Sequence, residues 1–301
     1  MRKVLFFLAI APVYLISMLP LGFHYFMSGI IAFFLDKVIG YRRSVITVNV
    51  SRAFPEFRYD KIEKITKRFY KNFADIIAES IKDFSLSTKQ ISRMAYIKNP
   101  QIMKKYYDRG LSVIIVGGHI GNWELLGKIE HFANSELTGY TGKHTNFVYK
   151  KQRSKLADDI IMWVRSKNSD VNLIESKSVA RTILRNREQL GCYFLLADQA
   201  PNKGSNFSIS FLNQPTFMIN GPEAISRAVG FPVVYLEMIR ERRGKYVVNL
   251  QEITDNPAEC EPGYITRTYA KLLENSIQKN PDNWLWSHKK WKREVEKRGE
   301  A

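Results

Sequence analysis

Cysteine is scarce in this chain: among 301 residues there are two, Cys192 and Cys260. Neither belongs to a C-x-x-C pair, and neither lies at zinc-ligand spacing from a histidine. A disulfide framework and a structural zinc site are therefore not expected, nor is any other metal. Such cysteine usage suits a reducing compartment. Acidic residues are also few, 29 against 46 basic ones, for a formal net charge of +17. A balance that basic calls for an acidic partner: nucleic acid, an anionic membrane surface, or an acidic protein or substrate. No zinc finger or aromatic RNA-recognition strand accompanies the charge, so nucleic acid is not expected as the partner. Ser/Gly linkers, low-complexity tracts and internal repeats are missing as well. One large domain or two modest ones remain, with ample chain to bury a core.

What is present begins at the N-terminus. From Val4 to Leu35 there is no Asp, Glu, Lys or Arg, and His24 is the single histidine. Spanning a bilayer takes roughly 20 apolar residues, so the run is long enough. Its small residues form no A-x-A-like cleavage site, which disfavours a removable signal peptide. Pro20-Leu21-Gly22 divides it into two pieces, and both flanks are basic: Arg2 and Lys3 before, Lys37, Arg42 and Arg43 after. Two positive flanks favour placing both ends on the cytoplasmic side. The expectation is a membrane anchor over residues 1–40, either a helical hairpin in one leaflet or a single tilted span, followed by a globular domain over 41–301. A buried N-terminal helix is the plainer alternative.

Beyond Arg43, apolar periodicity at three- and four-residue steps predicts a helix over Asp60–Phe84, with Asp60 as N-cap and Glu63 completing a capping box. Ser112–Val116 and Tyr193–Ala197 read as buried strands, and a further strand is expected near Leu137–Thr141. Helices are expected over Glu124–Phe132, Gln152–Arg165, Ser176–Leu184, Gly221–Val229 and Tyr264–Gln278. Pro232–Met238 and Tyr246–Leu250 read as a hairpin turning at Arg243-Gly244. Strands alternating with helices, closed by a hairpin, predict an α/β fold: a mixed central sheet flanked by helices, with the membrane-associated helical segment at its N-terminus. Sites in such sheets gather beyond the carboxyl ends of strands. His119 and Asp198 both fall there.

Gly117-Gly118-His119-Ile120-Gly121-Asn122-Trp123-Glu124 is the segment with chemistry in it. Its glycines allow a sharp turn and close approach of a substrate. Asn122 reads as an N-cap that starts a helix at Trp123 and puts Glu124 in its first turn. A histidine in the loop and a carboxylate on the helix can then converge. Histidine can take the proton of a hydroxyl near neutral pH, and a carboxylate on its other ring nitrogen fixes the tautomer. Amides at the helix start suit a developing oxyanion. Each residue also has a purely structural reading, His119 as a turn residue and Glu124 as a match to the helix dipole.

The segment H-I-G-N-W-E resembles the signature of the bacterial lipid A late acyltransferases. These are a branch of the lysophospholipid and glycerol-phosphate acyltransferase superfamily, whose shared motif is His, four residues, then Asp or Glu. Further blocks follow in the same order. Tyr149 with Arg165 resembles the second block, Ala197-Asp198-Gln199 the Asp-Gln block, and Phe211-Leu212-Asn213-Gln214-Pro215 the Phe-Phe-Gly-x-Pro block. Gly221-Pro222 through Val234 resembles the next helix and strand, and Trp284–Lys292 the closing W-x-W-x-H-R-R-(W/F)-K segment. Two features depart: Asn213 stands where glycine is usual, and Thr216-Phe217-Met218 lacks the usual small residues. Both are expected to border the substrate cleft.

The resemblance implies an O-acyltransferase with no cofactor, moving a fatty acyl chain from a thioester of acyl carrier protein, or of coenzyme A, to a hydroxyl of a lipid A precursor. His119 would be general base and Glu124 its orienting partner. Arg165 would bind an anionic headgroup, Asp198 and Gln199 would order the cleft, and Asn122 would shape or cap the turn. His288 would touch substrate or membrane, and the Trp/Lys-rich C-terminus would sit at an interfacial belt. The implied partners are membrane lipids and acyl carrier protein, at the cytoplasmic face of the bacterial inner membrane in lipopolysaccharide synthesis. A lysophospholipid or aminolipid acceptor, and a silent lipid-binding protein, are the competing readings.

Overall fold

The computed structural model describes residues 2–152, 154–167, 169–202 and 207–293. The N-terminal apolar run forms α1 (Arg2–Ser17) and α2 (Leu21–Phe33), separated at Pro20, whose fixed φ and missing N–H suit the start of a helix. α2 runs on as one π-helical turn, Phe34–Val38. Leu21–Val38 is long and apolar enough to cross a membrane, the one such helix among the described residues. Its inner side, with His24, Ser28 and Ala32 buried, packs along α4 (Tyr59–Asp83). Phe23, Phe26, Ile30 and Phe33 form an exposed outer stripe at helical spacing. α1 packs on α4 and on α8 (Lys155–Ser166).

α3 (Arg43–Ala53), α4 and α5 (Thr88–Ile91) precede the sheet. Arg58, not Asp60, occupies the N-cap position of α4, and no side chain caps it. The expected capping box is replaced by an ion pair: Glu63 lies 2.6 Å from the Arg43 guanidinium. The remaining elements are β1 (Ala95–Ile97), α6 (Gln101–Tyr107), β2 (Val113–Gly117), a 3-10 helix (Trp123–His131), α7 (Ser135–Thr138), β3 (Thr145–Tyr149), α8, β4 (Asn172–Glu175) and α9 (Val179–Arg185). After them come β5 (Cys192–Leu196), β6 (Ser208–Phe211), β7 (Gln214–Phe217), α10 (Gly221–Val229), β8 (Val233–Arg242), β9 (Lys245–Thr254) and α11 (Tyr264–Lys279).

Seven strands form one mixed sheet in the order β1-β9-β8-β2-β5-β3-β4. Only the β8–β9 hairpin, turning at Arg243-Gly244 as expected, is antiparallel. All five residues of β2 are buried, as a central strand covered on both faces requires. Alternate side chains divide between two cores. Ile114, Val116, Tyr193, Leu195, Val233 and Tyr235 pack on one face, toward α4 and α11. Val113, Ile115, Phe194, Val234 and Leu236 pack on the other, toward α5, α6 and the 3-10 helix.

Two expectations fail locally. No strand forms at Leu137–Thr141; Asn134 caps α7 there by accepting from the Glu136 N–H at 3.1 Å, and the strand lies at Thr145–Tyr149. The helix after His119 is 3-10 rather than α, and it breaks at Lys128. The Lys128 ammonium is drawn inward to the carbonyls of Val164 (2.8 Å) and Lys167 (2.5 Å).

Candidate active site

β2 and β5 are parallel neighbours, and Gly117 pairs with Leu196 at their carboxyl ends. The two chains therefore leave the sheet side by side, one carrying His119 and the other Asp198. The path after β2 is tight at two glycines. A Cβ on Gly118 would lie 2.6 Å from Leu273 Cδ1, and Gly121 has φ +62° with the Met238 carbonyl 2.7 Å from where its Cβ would stand.

Asp198 is 2% exposed and holds His119 twice. Its Oδ2 accepts the His119 backbone N–H at 2.8 Å, and its Oδ1 lies 2.6 Å from ring Nδ1. The Trp284 indole N–H donates to Oδ2 at 2.8 Å. Burial opposes the charge on both groups. The attraction between them outweighs it, so the Asp198 carboxyl is held well below the usual carboxylate range and the His119 imidazole is raised above its ordinary value. Nδ1–H thus points to the carboxylate, leaving Nε2 as the basic atom. The Gln199 amide nitrogen lies 3.2 Å from that Nε2.

The carboxylate on the histidine is therefore Asp198, where Glu124 was expected. Glu124 is bonded elsewhere, to the Arg165 guanidinium at 3.0 Å and the Trp123 indole at 3.1 Å. The Glu124 charge still contributes to raising the His119 pKa, behind that of Asp198, and Trp123 stands edge-on to the imidazole with centroids 5.4 Å apart. His119, Asp198 and Gln199 meet at one point, and Glu124 with Arg165 form a second pair beside them. Asn122 is a cap, accepting from the Leu125 N–H at 3.3 Å, and its amide donates to Glu79 Oε2 at 2.6 Å.

A cavity of 410 Å³ opens at Asn122, Trp123 and Glu124. It runs between α4, the 3-10 helix and α8, walled by Ile77, Ile81, Leu86, Met94, Ile160 and Val164, and Arg165 stands in its lining next to Glu124.

The C-terminal segment is a buried strap, not an interfacial belt. Trp284 is 3% exposed and Trp286 fully buried. The strap's backbone holds the turn: Gly121 N–H donates to Asn283 O at 3.1 Å, and Leu285 N–H to His119 O at 3.1 Å. His288 Nε2 accepts the Ala200 N–H at 3.0 Å, and Lys290 donates to the Gln199 and Phe217 carbonyls, each at 3.1 Å. Burial pushes His288 down to about 4 and Lys290 down to about 8. His288 thus supports the Asp198 loop from behind.

The two departures in the sequence blocks do not line the cavity. Leu212 and Asn213, with φ +50° and +59°, form the β6–β7 turn, and asparagine tolerates the left-handed conformation that glycine otherwise supplies. The Asn213 amide donates to Ala53 O at 2.9 Å, and Met218 is fully buried. Among the described residues no group of three or more His, Cys, Asp or Glu could hold a metal.

Trp284 and Lys290 were read in the sequence only as members of the closing block, without these contacts, and Glu79 was not singled out. A signal existed for the last: Asp75, Glu79 and Lys82 place charges at three- and four-residue steps inside α4, and all three are buried.

The carboxylate-held histidine thus lies just beyond the carboxyl ends of two central strands, β2 and β5, and the comparisons identify the class of the protein as an acyltransferase. Residues 1–293 match the bacterial lipid A biosynthesis acyltransferase family, and the chain belongs to that family. A lipid A biosynthesis palmitoleoyltransferase of Escherichia coli (strain K12) is 18% identical over 256 residues, covering 83% of this chain and 79% of that protein. A lipid A biosynthesis acyltransferase of Shigella flexneri matches with the same identity and coverage.

Proposed function

We propose that this enzyme transfers a fatty acyl chain from an acyl carrier protein thioester to a hydroxyl of a lipid A precursor, at the cytoplasmic face of the inner membrane. The acyl chain enters the 410 Å³ chamber with its thioester carbonyl near Trp123 and Glu124. The acceptor hydroxyl takes the place of the Gln199 amide on His119 Nε2. His119 removes the hydroxyl proton as the oxygen attacks the thioester carbonyl carbon. The tetrahedral intermediate then collapses, the C–S bond breaks, and the imidazolium returns its proton to the departing thiolate. The products are an ester and a free thiol. Asp198 fixes the ring and stabilises the imidazolium, the role expected of Glu124. Glu124 and Arg165, paired at the chamber mouth, orient the donor or an anionic headgroup.

The observation that carries this reading is the His119–Asp198 contact beside the apolar chamber. A lysophospholipid or aminolipid acceptor gains nothing from Asn213 and Met218, whose departures serve packing. The basic excess suits anionic headgroups and an acidic carrier protein.

The outer stripe of α2 supports seating in the membrane. A helix bonded to α4 through Tyr25 and Ser28 is better placed to lie in one leaflet than to leave the domain and cross. Protease treatment of intact vesicles tests this. An N-terminal tag cut only from the side carrying the domain supports the in-plane seat, and a tag cut only from the opposite side shows a span.

Purified protein in vesicles, given acyl carrier protein thioester and lipid A precursor, tests the reaction. Transfer by the wild type and its loss in His119→Ala are expected. Turnover in His119→Ala near the wild-type rate would contradict the mechanism.

A further inference from the structure

Glu79 lies outside the reacting centre, yet three segments besides its own helix meet on its carboxylate. Oε1 accepts from the Tyr25 hydroxyl of α2 at 2.9 Å. Oε2 accepts from the Tyr246 hydroxyl of β9 at 2.8 Å and from the Asn122 amide at 2.6 Å. Glu79 is 3% exposed and forms part of the wall of the acyl chamber. A buried carboxylate is tolerated when donors replace its water, and three donors do so here. Asn122 is the hinge of this arrangement. Its Nδ2 is fixed by Glu79, which aims its Oδ1 at the Leu125 N–H. That cap sets the start of the 3-10 helix, and with it the places of Trp123 and Glu124. Three residues earlier on the same turn stands His119.

The other end of the relay is α2, whose outer stripe is apolar and exposed. Tyr25 lies on the inner side of the same helix, one residue from Phe26 on the outer. Ser28, three residues on, donates to Asp75 of α4 at 2.6 Å. The seat of α2 on α4 and the geometry of the catalytic turn thus share one carboxylate.

We infer that Glu79 is a positioning residue for acyl transfer, setting the His119–Glu124 turn through Asn122 and linking that turn through Tyr25 to the helix that seats in the membrane. This rests on the acyl-transfer reading above. Glu79→Gln keeps the size and burial of the side chain but removes its charge and turns one acceptor oxygen into a donor, so the Tyr25 hydroxyl must reverse to accept and the bonds from Asn122 and Tyr246 lose their charge assistance. Loss of the cap geometry acts on the transition state more than on binding, so kcat should fall with KM for the thioester little changed.

A double-mutant cycle in vesicles tests it, using the full chain, an acyl carrier protein thioester and lipid A precursor. Glu79→Gln alone should lower kcat by about 10- to 100-fold, from the sensitivity of rate to small misplacements. In an Asn122→Ala background the same change should cost less than about threefold, because the two act as one unit. Tyr25→Phe should lower kcat by about two- to fivefold, the loss of one net hydrogen bond. It should do so in vesicles and not in detergent, where α2 has no bilayer to seat in. Wild-type kcat in Glu79→Gln would overturn the inference. So would additive losses with Asn122→Ala, the signature of a merely structural role, or equal Tyr25→Phe losses in vesicles and detergent. If Glu79→Gln fails to fold, Tyr246→Phe replaces it in the cycle, judged by the same two criteria. A wild type that transfers no acyl group would instead sink the acyl-transfer reading.

Discussion

At the scale of single residues, the site depends on which carboxylate holds His119. Asp198 is the buried one, with three donors, and Glu124 is 40% exposed and paired with Arg165. Asp198→Asn should therefore lower kcat by about a hundredfold or more, by loss of the tautomer control that assists a general base. The pH profile carries the sign. The proposed base must be neutral to act, so the rate should rise with pH through the His119 pKa, which lies above the ordinary 6.5. Removing the Asp198 charge leaves burial to dominate, and burial lowers the pKa. The acid limb of kcat/KM should shift to lower pH in Asp198→Asn, and an unshifted limb would mean that Asp198 does not act on His119. Glu124→Gln should shift the limb in the same direction by less, since the Glu124 charge ranks behind that of Asp198.

At the scale of elements, the C-terminal strap is the unexpected part. Its tryptophans read as an interfacial belt in sequence because an amphipathic ring surrounded by lysines has the same composition in a belt or in a core. Only the fold shows Trp284 donating into the site. Trp284→Phe keeps most of the packing and deletes one donor to a buried carboxylate, so kcat should drop about tenfold, in line with the cost of an unsatisfied buried charge. Thermal melting should change little; a large fall in melting temperature with kcat intact would reverse this assignment. His288 gives a stability test. Its folded pKa is lowered to about 4 from 6.5, so the unfolded chain takes up the proton first and stability falls as pH drops from 6.5 toward 4. In His288→Gln that loss is gone, so the stability gap between variant and wild type should close as the pH is lowered over that window. Urea unfolding at several pH values measures it.

At the scale of the whole molecule, the alternation of elements was legible because β2, β5 and the β8–β9 hairpin are written in β-branched and aromatic runs bounded by glycine. The position of His119 and Asp198 at strand ends was legible for the same reason. Their direct contact was not, because it depends on β2 and β5 being neighbours, and sheet order comes from packing across nearly eighty residues of chain. The Asp-Gln block marked Asp198 as part of the cleft without saying what it touched. The N-terminal run was legible as a long apolar stretch by its composition, while the seat of α2 on α4 came from two polar side chains of its inner face, Tyr25 bonded to Glu79 and Ser28 to Asp75. Phe26→Glu with Phe33→Glu should abolish retention on anionic vesicles while leaving the folded domain intact, since two charges are placed where an apolar face would meet acyl chains. Flotation with the vesicles at wild-type level would show that this face is not the membrane seat.

On the proposed mechanism His119, held by Asp198, activates the hydroxyl of a lipid A precursor. Mass spectrometry of that lipid after incubation with acyl carrier protein thioester and vesicle-bound enzyme reads it directly. One added acyl chain with wild type, and none with His119→Ala or at a rate lower by a hundredfold or more with Asp198→Asn, is the predicted result. An unmodified precursor with wild type, or the same added mass with His119→Ala, would contradict it.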